Sequence, residues 1–330
     1  MVRFAVIGTN WITERFIEAA TSIEGFSLSA VYSRTEDRAK QFARKFNVEH
    51  VYTDLHEMAS SKEFDAVYVA SPNSLHASQA MLMMENGKHV LCEKPLASNT
   101  LEVEAMIQCA KKHSVVLMEA LKTTLLPNFL TIKEHLHKIG TVRRYVASYC
   151  QYSSRYDRYK QGEILNAFKP EFSNGSLMDI GVYAVYPLVV LFGEPKSIHG
   201  QCYMLDSGVD GQGSLMLQYE EMDALITYSK ITNSYIPSEI QGEKGSIIID
   251  KINIPENVTI KYNDGSEENI TVPQDQQSMY YEAKEFIELI ERNAFESTVN
   301  SHRHSIITAS ILEKARRQMG VIYPADKKDE

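Results

Sequence analysis

Three side chains in this sequence are of types that can move a proton and hold an alkoxide when brought together: Lys94, Asp179 and Tyr183. Lys94 closes the run Gly87-Lys88-His89-Val90-Leu91-Cys92-Glu93-Lys94-Pro95, in which Val90-Leu91-Cys92 reads as a parallel strand covered on both faces. Ligands of such sheets sit beyond the carboxyl ends of the strands, so Lys94 falls at the reactive edge. Pro95 denies Lys94 the α region and sets its ammonium on a stiff, extended mount. By composition alone Lys94 would be a surface lysine at a strand end, and its neighbours reverse that reading. Asp179 and Tyr183 lie four apart in the apolar stretch from Asn174 to Phe192, which puts them one turn apart on one helix face. A carboxylate inside an apolar helix needs a partner or a function. The plainer alternative makes Asp179 a cap or an ion pair and Tyr183 a core residue.

The elements that must position Lys94 alternate strand and helix. Phe4-Ala5-Val6-Ile7 reads as a strand, Gly8-Thr9-Asn10-Trp11-Ile12-Thr13 as a turn, and Ile12, Phe16, Ile17 and Ala20 recur at helical spacing. This is the opening of a dinucleotide fold, with Asn10 and Thr13 standing where G-x-G-x-x-G has its second and third glycines. Asn10 is expected to tolerate left-handed backbone angles, and Asn10, Trp11 and Ile12 to offer the free N–H groups of a helix N-terminus to a pyrophosphate. The next strand, Leu28 to Tyr32, ends in Ser33-Arg34, where an NAD site usually carries an acid. A hydroxyl and a guanidinium suit a 2′-phosphate, which favours NADP; NAD is the alternative if Glu36 or Asp37 takes the ribose. A third strand, Asp65 to Ala70, leads into Ser71-Pro72-Asn73-Ser74-Leu75-His76. Ser71, Asn73 and His76 are expected to line one cleft with Gly8, Glu93 and Lys94, because all follow strands of one sheet. For His76 a capping or packing role is the competing reading.

From Leu121 the pattern changes, dividing the chain into a Rossmann dinucleotide-binding domain over 1–120 and an α/β domain over 121–330. The second reads as a helix from Asn128 to Lys138, a long strand from Val142 to Tyr152, a tyrosine-rich segment around Tyr156 that is a solvated loop or faces a substrate, then short strands between Lys196 and Val272. Strands without intervening helices form a largely antiparallel open sheet, whose bare face a second copy of the chain would cover. Helices follow from Tyr280 to Asn293 and from His302 to Gly320. His135 with His137, and His302 with His304, are two apart on helices and face different ways, so neither pair reads as a metal site.

With 330 residues and a net charge of −9, the chain has room for two domains and lacks the basic footprint of a nucleic-acid binder. The four cysteines are widely spaced, and no signal peptide or apolar run near the ~20 residues of a membrane span is read, so a cytoplasmic protein is expected.

The Gly8 turn, Ser71-Pro72-Asn73 to His76, Glu93-Lys94-Pro95 and Asp179-x-Gly181-x-Tyr183 together resemble the Gfo/Idh/MocA oxidoreductases over essentially the whole chain. Glu119-Ala120 before Pro127, with Tyr183 in place of the commoner His, look like the dihydrodiol and D-xylose dehydrogenase branch. The resemblance implies a nicotinamide-dependent dehydrogenase of sugars, polyols or cyclic diols, and a dimer through the C-terminal sheet. Tyr183 is then the candidate base for the substrate hydroxyl, Lys94 binds the substrate oxygen, and Asp179 orients the substrate or the lysine. A cation ~4 Å from a tyrosine at an effective dielectric of ~20 contributes about 4 kcal/mol, roughly three pKa units, against which desolvation works. Lys94 as the acid/base itself is the variant. Relatives of this fold that sense NADP without turnover, or use it in redox-neutral sugar chemistry, form the alternative class.

Overall fold

The computed structural model describes residues 1–329. Two compact units form: Met1–Lys122 together with Gln276–Ser305, and Thr123–Asp275 together with the chain from Ile306 onward.

In the first unit, β1 (Val2–Ile7), β2 (Phe26–Tyr32), β3 (His50–Tyr52), β4 (Ala66–Val69), β5 (His89–Glu93) and β6 (Leu117–Ala120) make a parallel sheet in the order β3-β2-β1-β4-β5-β6. The central strands β1, β4 and β5 are apolar on both faces because α1 (Trp11–Ala20), α2 (Glu36–Phe46), α3 (Leu55–Ser60), α4 (His76–Glu85) and α5 (Thr100–His113) supply the covering layers. The order reverses between β1 and β4, which opens a crevice at their carboxyl ends, beside Gly8 and Ser71. Local chemistry starts the helices where the sequence offers it. Asn10, Asp54 and Asn99 accept backbone N–H groups at the first turns of α1, α3 and α5, each cap contributing about 1 kcal/mol.

One segment placed by the sequence in the second domain belongs here instead. In the helix Tyr280–Glu291, the apolar face carrying Ala283, Phe286 and Ile287 buries against this unit, with the Phe286 ring edge-on to Phe4 at 5.9 Å. Grouped by compactness, Gln276–Ser305 thus returns to the first unit after the division near residue 121.

The second unit contains α6 (Pro127–His135), β7 (Val142–Cys150), α7 (Ser154–Lys160), α8 (Val182–Phe192) and the strands β8 (Ser197–Met204), β9 (Asp210–Gln218), β10 (Asp223–Ser229), β11 (Ser238–Gly242), β12 (Gly245–Ile249), β13 (Val258–Tyr262) and β14 (Glu267–Asn269). Its eight strands run β14-β13-β12-β11-β7-β10-β9-β8, antiparallel throughout except for the parallel pair β7 and β10. The helix from Tyr280 to Glu291 is α9, and α10 spans His302–Gln318. β8 escapes sequence reading because it is an edge strand, mostly exposed and polar.

Two expectations need correcting. The tyrosine-rich segment is helix α7, and Tyr156 and Tyr159 pack against Phe168, with ring centroids 6.1 and 5.4 Å away, in a small core with Leu205 and Val209. It is a packing element. The stretch Pro170–Phe192 is long and apolar enough to cross a membrane, contrary to the sequence reading, but 78% of its apolar window is buried within the fold, as in a core helix.

Candidate active site

At the crevice of the parallel sheet, Gly8 has φ +109° and lies so close to the end of β4 that a Cβ would meet the Ala70 carbonyl oxygen at 2.6 Å. Only glycine fits there. Asn10 is not left-handed as expected. It is extended, with φ −107° and ψ 176°, and caps α1: its Oδ1 accepts the N–H groups of Ile12 and Thr13 at 2.9 and 3.3 Å, while Nδ2 donates to the Ala70 carbonyl at 2.8 Å. The asparagine therefore takes for itself N–H groups that the sequence reading assigned to a pyrophosphate, and ties the turn to β4. Trp11 is exposed at the start of α1, with the Arg15 guanidinium 5.6 Å from its ring.

Ser33 is buried at the end of β2, and its N–H donates to the Tyr52 carbonyl at 3.2 Å. Arg34 follows it on the surface, while Glu36 is engaged by Lys40 one turn along α2 at 2.5 Å. Arg38, which the sequence reading did not single out, donates to the Thr9 hydroxyl at 2.8 Å and the Thr9 carbonyl at 3.1 Å, so that α2 holds the glycine turn. Ser71 carries a buried hydroxyl with no hydrogen-bond partner, at the other lip of the crevice. Asn73 stands in the single turn Asn73–Leu75 before α4. His76 differs from expectation: it is 1% exposed and its ring nitrogens lie 3.0 Å from the Pro95 carbonyl and 2.9 Å from that of Ser71. It clamps the β4 and β5 turns together instead of lining the cleft, and burial lowers its pKa.

Around Lys94 the structure joins Glu93 and Glu119 with two charges that no local motif announces, Lys122 and Glu282. Lys94 is half-buried and its peptide bond to Pro95 is cis. Glu93 is buried, accepts the Tyr68 hydroxyl and the Lys94 N–H, and has its pKa raised by burial against the opposing pull of Lys94. Tyr68 is held flat by Phe16, ring centroids 3.9 Å apart. Lys122, just past β6, is pushed down by burial, and Glu282 and Glu93 oppose the shift. Glu282 of α9 is fully buried with neither carboxyl oxygen hydrogen-bonded, and burial drives its pKa well above the carboxylate range. Glu119 accepts the Leu96 N–H at 3.0 Å and is raised to about 7, again chiefly by burial. Glu282 could have been found by its place with Phe286 and Leu289 on the buried stripe of α9.

In the second unit, Asp179 lies in a π-helical turn, Leu177–Gly181, that feeds α8. Wide turns of this kind recur at functional sites because they re-aim a side chain within a helix. Lys230, also missed, is 4% exposed and ion-paired with Asp179. Its position continues the inward series Ala224, Ile226, Tyr228 of β10, a legible signal for a buried cation. Asp210 accepts the Leu177 N–H at 2.7 Å and pins the turn; burial raises it to about 6. Tyr183 is half-buried and edge-on to Tyr149 at 5.7 Å. The structure thus groups the crevice residues with Glu93 and Lys94 in the first unit, and Asp179 and Tyr183 in the second.

A parallel sheet with a switch-point crevice, joined to a large open sheet that presents an aspartate turn, defines a class, and the chain belongs to the Gfo/Idh/MocA family. The oxidoreductase family model with its NAD-binding Rossmann fold matches residues 2–121, and the Gfo/Idh/MocA C-terminal domain matches residues 129–248. Among individual proteins, the chain is 60% identical over 327 residues to scyllo-inositol 2-dehydrogenase (NADP(+)) IolU of Bacillus subtilis (strain 168), covering 99% of this chain and 100% of that one. It is 29% identical over 339 residues to trans-1,2-dihydrobenzene-1,2-diol dehydrogenase of Xenopus tropicalis, covering 98% and 99%. In fold it resembles KijD10, a 3-ketoreductase from Actinomadura kijaniata solved with NADP and TDP-benzene, with a TM-score of 0.84 at 24% identity, over 98% of this chain and 99% of that one.

Proposed function

We propose that this protein is an NADP-dependent dehydrogenase of cyclic polyols, oxidising a secondary alcohol of an inositol-like ring to the ketone. The observation that carries the reading is the 60% identity, end to end, with an NADP-dependent scyllo-inositol dehydrogenase. The chain's own residues fit the cofactor. Gly8 leaves backbone room where a Cβ would collide, the Ser71 hydroxyl is buried without a partner at the crevice, and Arg34 stands at the end of β2 with Glu36 drawn away by Lys40. Gly8, Trp11, Ser33, Arg34, Ser71 and Asn73 are the proposed holders of NADP.

Bound NADP supplies the acceptor for the hydride that leaves the carbinol carbon. Tyr183 takes the proton of the reacting hydroxyl as its carbon–oxygen bond becomes a carbonyl, and returns it in the reducing direction. Lys94 is the proposed ligand of the substrate oxygen and stabilises its developing negative charge. Asp179 accepts a hydrogen bond from a neighbouring ring hydroxyl. The protein acts in the cytoplasm, in keeping with its four free thiols. It works as a homodimer through the outer face of the eight-stranded sheet, where Met216 and Tyr203 are each 59% exposed.

The test is reduced-nicotinamide absorbance with NADP or NAD against scyllo-inositol, myo-inositol, aldoses and cyclic diols, with Lys94→Ala as control. Lys94-dependent turnover, fastest with NADP and an inositol, is expected. Tight NADP binding without turnover on any member of the panel would overturn the reading in favour of a sensor.

A further inference from the structure

Lys230 is sealed in while its partner is not. The lysine side chain is 5% exposed and the Asp179 side chain 29%, so the ion pair presents its carboxylate outward and its cation inward. An ammonium in that position needs compensation. Besides Asp179 it has the Phe168 ring, 5.5 Å from Nζ, and its backbone N–H donates to the Gly211 carbonyl at 3.0 Å. The π turn opposite is equally fixed. Asp210 holds the Leu177 N–H, and Gly181 lies so near the Tyr228 ring that a Cβ would be 3.3 Å from it.

The ionisable side chains on the elements packed against the turn are Arg143, Arg144, Tyr145, Tyr149 and Cys150 of β7, Asp210 of β9, Asp223 and Tyr228 of β10 with Lys230 just beyond it, and Tyr183 and Tyr186 of α8. Of the cations among these residues Lys230 contacts Asp179, while Arg143 is paired with Glu243 at 2.6 Å. Arg144 of β7 is paired with Asp223 at 2.7 Å, at the opposite end of the β7 and β10 pair.

We propose that Lys230 is a positioning residue for substrate recognition: it keeps Asp179 ionised and fixed in orientation, so that the carboxylate offers a set acceptor edge to a substrate hydroxyl. The proposal rests on the reading of Asp179 as the group that orients a polyol. Lys230 is too deeply buried to meet substrate itself and acts through Asp179. A charged acceptor in a set direction favours ring hydroxyls of one configuration, which makes the pair a determinant of substrate stereochemistry. Its loss should lower kcat/KM about 10- to 100-fold, the range expected for a hydrogen bond to a charged group, mostly through KM.

The experiment compares wild type, Lys230→Met and Lys230→Arg in the full chain. One arm measures kcat and KM for scyllo-inositol with NADP between pH 5 and 9. The other follows the Asp179 carboxyl by carbon NMR, with the signal assigned by its loss in Asp179→Asn. Removing the cation should raise the Asp179 titration by about one unit or more, move the acid limb of kcat/KM upward with it, and raise KM; Lys230→Arg should largely restore all three. A Met variant with a lowered Tm but an unmoved Asp179 titration and acid limb would overturn the proposal and leave Lys230 as packing. Should Lys230→Met not fold, Lys230→Gln takes its place. An inert wild type would overturn the polyol reading, and the Asp179 titration would then decide the Lys230 proposal alone.

Discussion

The two units bury charge by opposite means. At the end of the parallel sheet, Glu93, Glu119 and Glu282 are withdrawn from water, and their pKa values rise because burial outweighs the pull of the nearby lysines. In the second unit, Asp179 is half-exposed and takes a lysine in direct contact. Deep burial drives an acid toward neutrality, whereas a contacting cation at a partly exposed site favours its charged form. The first arrangement suits a buried scaffold beneath Lys94, the lysine proposed to meet the substrate oxygen. The second suits an acceptor that must meet a hydroxyl.

The sharpest way to test this contrast is at the reactive positions. Lys94→Ala should reduce turnover about 10³-fold or more while NADP affinity, read by fluorescence titration, changes little, and Tyr183→Phe should lose about 10²- to 10⁴-fold in kcat, as expected for a proton-transfer group. A near-normal Tyr183→Phe enzyme would pass the acid/base role to Lys94. Next in size, Arg34→Ala should weaken NADP about 10- to 100-fold and leave NAD nearly unaffected, because a charge-assisted bond to the 2′-phosphate is lost. Equal losses for both cofactors would remove Arg34 from 2′-phosphate recognition.

The smallest effect concerns stability. Glu119 has a folded pKa of about 7 against 4.5 for the free group. Below pH 4.5 both folded and unfolded states keep the proton and the group contributes nothing. As pH rises from about 4.5 to about 7 the unfolded chain ionises first, so stability is lost across that window, by on the order of 3 kcal/mol, and is level above it. Glu119→Gln removes this slope. Its Tm relative to wild type should therefore climb between pH 4.5 and 8 in calorimetry. A constant difference across that range would mean that Glu119 is ionised in the fold and that burial does not govern this edge.

The alternation of strands and helices, the glycine turn, Glu93-Lys94-Pro95 and the aspartate in an apolar helix were all readable along the chain, because each is a local pattern: hydrophobic period, turn chemistry, or a charge out of place. From these the fold class and the family followed. What only the tertiary structure decided is which groups meet at long separation. Lys230 reaches Asp179 from 51 residues away, Glu282 enters the first unit from the far end of the chain, His76 turns out to be a clamp, and Asn10 spends its side chain as a cap. A residue's type and spacing state what chemistry it can do. Whether burial leaves it a partner, and which one, depends on strand order and on how distant elements close over it, and no local pattern carries that information.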